Sequence, residues 1–253
     1  MMTLRALVRL SFLEFLREKV VWVAVFIAIL LFAVSFFLGS LSFNEQQRIL
    51  AHIGWSTIQL STLGMGLFMA ANWLHREMDR QTCLIVLARP VTRDQFLVAK
   101  FLPIGLLIAL VQLILALLLF FLLKSSFSID NFLIVLLGTF TEVLVVLSIT
   151  FFLATLTRPA IAFIAGISSL LIGNWSQEIE FFGEKTNNIV YISVAKIGKN
   201  IFPNLFQFNW RSVYFLKNGV SSDQVLWVLV HSAGWILLMI CLSIFVFRRK
   251  DLV

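Results

Sequence analysis

Six apolar runs, each near the ~20 residues a bilayer-crossing helix needs, divide this 253-residue chain. They cover approximately Val20–Phe43, Gly54–Leu74, Leu97–Leu123, Asn131–Leu156, Pro159–Trp175 and Val225–Phe247. The fourth and fifth are separated only by Thr157-Arg158-Pro159. Proline begins a helix well and continues one badly, so the spacing predicts a tight turn there. Residues 1–19 follow a different pattern. Leu4, Leu7, Val8, Ser11, Phe12, Phe15 and Leu16 recur on one helical face, Arg5, Arg9 and Arg17 lie off it, and Thr3 is a candidate cap. That predicts an amphipathic helix on an anionic membrane surface. A signal peptide is disfavoured, because the run from Val20 is too long and no small-residue cleavage site follows. The expected fold is all-α: a polytopic membrane protein with six transmembrane helices and an N-terminal amphipathic interfacial helix, in a single domain over 1–253.

Composition agrees. The chain is 60% hydrophobic and 13% charged, whereas a soluble domain has roughly 25% charged residues. This is the composition of an integral membrane protein. The net charge of +7 therefore reads as basic loops held in the cytoplasm, not as affinity for nucleic acid. With the N-terminus inside, thirteen of the twenty basic residues fall on the inner side and seven outside. Five of those seven lie in one long loop, where the positive-inside rule is weak. Both termini are therefore expected in the cytoplasm. Cys83 and Cys241 have no Cys-x-x-Cys spacing and read as inert thiols.

The long outer loop, residues 176–224, contains Phe181, Phe182, Ile189, Val190, Ile197, Ile201, Leu205, Phe208 and Trp210. Such an apolar segment is expected to bury itself against the bundle or the outer leaflet. It reads as one or two interfacial helices capping the outer mouth, or as an ordered connector. Small residues recur at every fourth position in the second run (Thr62, Gly66, Ala70) and the fifth (Ala162, Gly166; Ala165, Ser169, Gly173). That spacing permits close helix approach, within the chain or to a second one. Asn174-Trp175-Ser176 matches a glycosylation acceptor but sits against a span end.

Catalytic signatures are missing. The chain has no phosphate-binding Gly-x-x-x-x-Gly-Lys-[Ser/Thr], no His-Glu-x-x-His and no Gly-x-Ser-x-Gly. Its three histidines, His52, His75 and His231, have no partner at ligand spacing. Glu142 is the one carboxylate near the middle of a span. Its burial costs roughly 2.5 kcal/mol or more, so it is expected to face protein or water. It is either a polar contact on a translocation path or subunit seam, or a protonated glutamic acid hydrogen-bonded to a neighbouring helix. Gln112 and Gln59 are expected to make interhelical hydrogen bonds.

The most informative segment is the charged loop at residues 75–96, continuing to Lys100-Phe101. It holds Glu77, Asp79, Arg80, Thr82, Leu87, Arg89-Pro90-Val91, Arg93 and Phe96, with an apolar ridge at Leu84, Ile85 and Leu87. A charged rim around an apolar centre suits protein docking. In this register the loop resembles the first cytoplasmic loop of ABC exporter permeases of the type-2 family. It departs from that pattern at Gln81 and Ala99. The segment Leu7–Trp22, the stretch Ile201-Phe202-Pro203-Asn204-Leu205, and the basic end Arg248-Arg249-Lys250 are also similar to that family.

The resemblance implies a six-span subunit of the cytoplasmic (inner) membrane that pairs with a second permease subunit as a homo- or heterodimer. It also implies an ABC ATPase subunit docked on Glu77, Asp79, Arg80, Leu87, Arg89, Pro90, Arg93 and Phe96. ATP would bind to that partner, with no cofactor in this chain. The function implied is ATP-driven export by alternating access. The alternative is a non-transporting membrane scaffold or assembly subunit.

Overall fold

The computed structural model describes residues 2–40, 46–79, 92–123, 129–211 and 220–249. Among them are eight α-helices and one short 3₁₀ turn, with no strand. In chain order the helices are α1 (Met2–Leu16), α2 (Lys19–Ser40), α3 (Gln46–Asp79), α4 (Arg93–Leu122), α5 (Ile129–Leu156), α6 (Pro159–Lys185), α7 (Ile189–Ile201) and α8 (Ser222–Arg249). The 3₁₀ turn covers Leu205–Phe208.

Five helices are long and apolar enough to cross a membrane: α2, α4, α5, α6 and α8. The sixth predicted span lies in α3, which extends beyond it at both ends to 34 residues. Its apolar stretch is diluted by Thr57, Gln59, Ser61 and Thr62, and composition alone does not mark it as a span.

α5 is the central column. Buried residues make up 67% of its most apolar stretch, against 11% for α8. α3, α4, α6 and α8 all pack on it, and α2 packs along α3. The small-residue stripes meet partners within this chain. A Cβ on Gly66 would lie 2.8 Å from Ile108 Cδ1 of α4, and one on Gly166 would lie 2.8 Å from Leu67 Cδ2 of α3.

Local chemistry explains the helix ends. The turn expected at Thr157-Arg158-Pro159 is present, with Pro159 opening α6. Thr92 caps α4 in a capping box with Gln95. Asp94 in the first turn complements the helix dipole.

The face expected to be apolar on α1 is turned inward, with Ser11 and Phe15 fully buried. It packs on α4 rather than lying open to lipid, while Leu10 and Leu13 remain exposed alongside Arg5, Arg9 and Arg17.

The segment expected as an outer loop, hereafter the outer segment, is largely helical. α6 continues ten residues past the predicted end at Trp175 to Lys185. Asn187 takes a left-handed φ of 52°, which asparagine tolerates. Asn188 then caps α7 through Val190 N–H. α7 folds back along α6, with Gly183 against Ile192 and Gly198 against Ile172, and an ion pair joins Lys199 to Glu180. The apolar side chains expected to be buried fall into two groups. Leu205, Phe208 and Trp210 are inside, whereas Phe181, Phe182, Ile189, Val190, Ile197 and Ile201 are exposed on this chain.

Candidate functional site

Two polar clusters stand out, one at the loop's root and one in the middle of the bundle. At the root, α3 ends and α4 begins. Lys100 Nζ donates to Glu77 Oε1 at 2.7 Å, with both side chains largely buried. Burial pushes the Glu77 carboxyl above its ordinary value, and Lys100 opposes that by attraction and hydrogen bonding. Glu14 of α1 acts on Glu77 electrostatically and adds to the upward shift. The two ends of the charged loop are thus pinned to each other beneath α1.

The same root holds the end of α8. Arg93 Nη1 donates to the carbonyls of Phe247 (3.3 Å) and Arg248 (2.9 Å). These are terminal carbonyls of α8, which have no donor within their own helix. Arg248 returns the contact as a two-pronged pair with Asp94, Nε donating to Oδ1 at 2.7 Å and Nη2 to Oδ2. Phe96 is buried and stacks on Phe247, with ring centroids 6.0 Å apart. Of the residues expected to carry coupling, Glu77, Arg93 and Phe96 therefore all have partners inside the chain. The side chain of Asp79, together with Arg80, Leu87, Arg89 and Pro90, lies outside the described residues, as does Cys83.

In the middle of the bundle Glu142 of α5 is 2% exposed. Gln59 of α3 donates to its Oε2 at 2.6 Å, and Asn174 of α6 donates to its Oε1 at 3.0 Å. Arg211, just beyond the 3₁₀ turn, donates to Ser56 Oγ at 3.0 Å and interacts electrostatically with the carboxylate. Burial lowers the Arg211 pKa, and Glu142 pulls it back up.

Two glycines let Arg211 arrive there. A Cβ on Gly138 would lie 2.8 Å from the Phe208 carbonyl oxygen, and one on Gly173 would lie 2.9 Å from that of Pro203. The backbone of the outer segment therefore rests directly on α5 and α6. Gln112 is also buried, but reaches a different part of α5. Its Nε2 donates to Thr139 Oγ1 at 2.7 Å and to the Leu136 carbonyl at 3.0 Å.

Sequence reasoning singled out Glu142 and gave Gln59 a generic interhelical role. It missed Asn174 and Arg211 as partners. The available signal was weak: an amide late in an apolar run, and one cation among several in a long loop.

The profile of a family described as ABC-2 family transporter protein matches residues 5–252, nearly the whole chain. The chain belongs to the ABC-2 transporter family. No curated protein matches it at a significant level. As an ABC-2 permease it is an integral membrane subunit of a transporter and not itself the catalytic part. The contacts of the two clusters are ion pairs and hydrogen bonds joining helices. Among the described residues, no group of three or more His, Cys, Asp or Glu side chains is placed to hold a metal ion.

Proposed function

We propose that this permease moves an unidentified substrate out of the cell as one of two permease subunits driven by separate ABC ATPase chains. The observation that carries the reading is the assembly of the loop root in an ABC-2 family chain. α1, both ends of the charged loop and the basic end of α8 meet at one end of the bundle. An ATPase bound to the loop would there act on four helices at once.

In this reading six helices cross the cytoplasmic membrane, α3 included, with both termini inside. The polar side chains of α3 support that count, because Thr57, Ser61 and Thr62 are buried and Leu60 faces outward. α1 lies along the inner surface, with Leu10, Leu13 and its arginines turned to the lipid boundary. Arg80, Leu87, Arg89 and Pro90 form the docking face, joined by Asp79. Glu77, Arg93 and Phe96 anchor that face to the bundle. ATP binds to the partner, and this chain needs no cofactor. Alternating access takes place where two permease subunits meet, and Glu142 is the polar contact that stays paired while helices shift.

The test is Arg89→Glu, measured by ATPase co-purification from native membranes and by transport-stimulated hydrolysis. Weakened binding, or hydrolysis uncoupled from transport, is expected with insertion intact. Wild-type behaviour in both assays would instead favour a non-transporting scaffold.

A further inference from the structure

An apolar groove of about 470 Å³ lies between α2 and α3 and belongs to neither polar cluster. Val23 and Ile27 of α2, Leu60 and Phe68 of α3, and Phe163 of α6 line it. Apart from Lys19 and Ser61, its lining is apolar. Its floor is Gly64, where a Cβ would meet nothing within 4 Å.

The groove has a polar end and an apolar end. α2 and α3 pack along each other with Gly39 of α2 against Gln46 of α3, and the groove occupies the half away from that contact. Lys19 stands at its mouth, exposed and without an ion-pair partner among the described residues. Trp22, one turn further along α2, is 69% exposed. A tryptophan beside a lysine at a span end marks the level of the lipid headgroups. From Lys19 to Ile27 the groove extends about 12 Å along the helix axis, close to the ~15 Å of one hydrocarbon leaflet.

We infer that this groove binds an anionic phospholipid, its phosphate on Lys19 and one acyl chain lying between α2 and α3. A cation in the lining at headgroup level, above a leaflet-deep apolar slot, matches the charge and the length of such a molecule. A protein partner would have to bring an acidic group to Lys19 and also fill a slot of that depth. The inference depends on the chain crossing a membrane and not on ATP-driven transport, so failure of the transport reading leaves it standing.

The experiment uses the full chain, extracted with mild detergent and exposed to vesicles of equimolar phosphatidylglycerol and phosphatidylcholine with identical acyl chains. Native mass spectrometry then counts retained lipid. The wild type should keep one phosphatidylglycerol in preference to phosphatidylcholine. Lys19→Gln should reduce that preference about fivefold while chain retention persists. Gly64→Leu, which enters open space, should lower retention of both lipids. Gly64→Cys, in a chain lacking Cys83 and Cys241, should not form disulfide-linked dimers under mild oxidation. No lipid on the wild type, an unchanged preference in Lys19→Gln, or full retention in Gly64→Leu would each overturn the inference. Rapid cross-linking through Gly64→Cys would overturn it too, since a second copy of the chain would then cover the groove.

Discussion

The loop root and the Glu142 cluster both join distant parts of the chain, but on opposite physical terms. At the root the outermost pair is open to solvent, with the Arg248 and Asp94 side chains 62% and 33% exposed. Exposed ion pairs contribute little and are screened by salt. What holds the root together is beneath them: the Phe96–Phe247 stack, the Lys100–Glu77 pair, and a guanidinium capping α8. Glu142 has no such reserve. Its carboxylate is buried, each oxygen accepts from a different helix, and the nearby cation comes from an outer segment. A cluster like the root can yield and re-form, whereas a buried hub must remain satisfied in every state of the protein.

The largest effect is expected at Glu142. Glu142→Leu takes the shared acceptor from two half-buried amides and the counter-charge from Arg211, a loss on the order of 3–5 kcal/mol. It should appear as a strongly lowered thermal midpoint or a collapse in folded yield. Glu142→Gln keeps an acceptor oxygen, so insertion and most of the stability should persist while transport or transport-linked hydrolysis changes. If Glu142→Leu matches the wild type in both stability and transport, the contrast with the root disappears.

A middle-sized effect is expected from the glycine beneath the outer segment. Gly138→Leu forces a side chain into the Phe208 carbonyl and the Trp210 ring, costing about 1–3 kcal/mol. Gly234→Leu on α8 meets nothing within 4 Å and should stay within about 0.5 kcal/mol of the wild type. Equal melting temperatures for the two variants would show that the outer segment does not rest on α5 as described.

The smallest effect on stability belongs to the root's outer pair. Asp94→Arg and Arg248→Asp should each lower the coupling of hydrolysis to transport, and the swapped double variant should restore it. The single-variant defects should shrink at high salt, because the pair is exposed. The Glu142 variants should be insensitive to salt. A double variant as defective as the sum of the two singles would remove the pair from the mechanism.

Much of this molecule was legible in the chain because apolar periodicity and helix punctuation are local. A run of twenty apolar residues in lipid satisfies its backbone groups within its own segment as a helix. Pro159 had to open a helix rather than continue one. Family-like residues of the charged loop also lie close together in sequence, so they could be read without a structure. The apolar residues of α3 mark a span, although its composition alone is too polar to do so. The extension of α6 past Trp175 was hidden because Gln177, Glu178 and Glu180 look like the start of a loop.

Partner choice was decided by tertiary structure alone. Glu142 finds Gln59 from 83 residues away and Asn174 from 32, and Arg93 caps the end of α8 through a carbonyl 154 residues later. Arg93 and Phe96 read as docking residues in the sequence, and their contacts with α8 appear only in the structure. A buried polar atom requires some partner, and its identity gives the type of partner it needs. Which donor arrives depends on how helices pack and on where a glycine lets two backbones touch, and neither is written in the residues surrounding it.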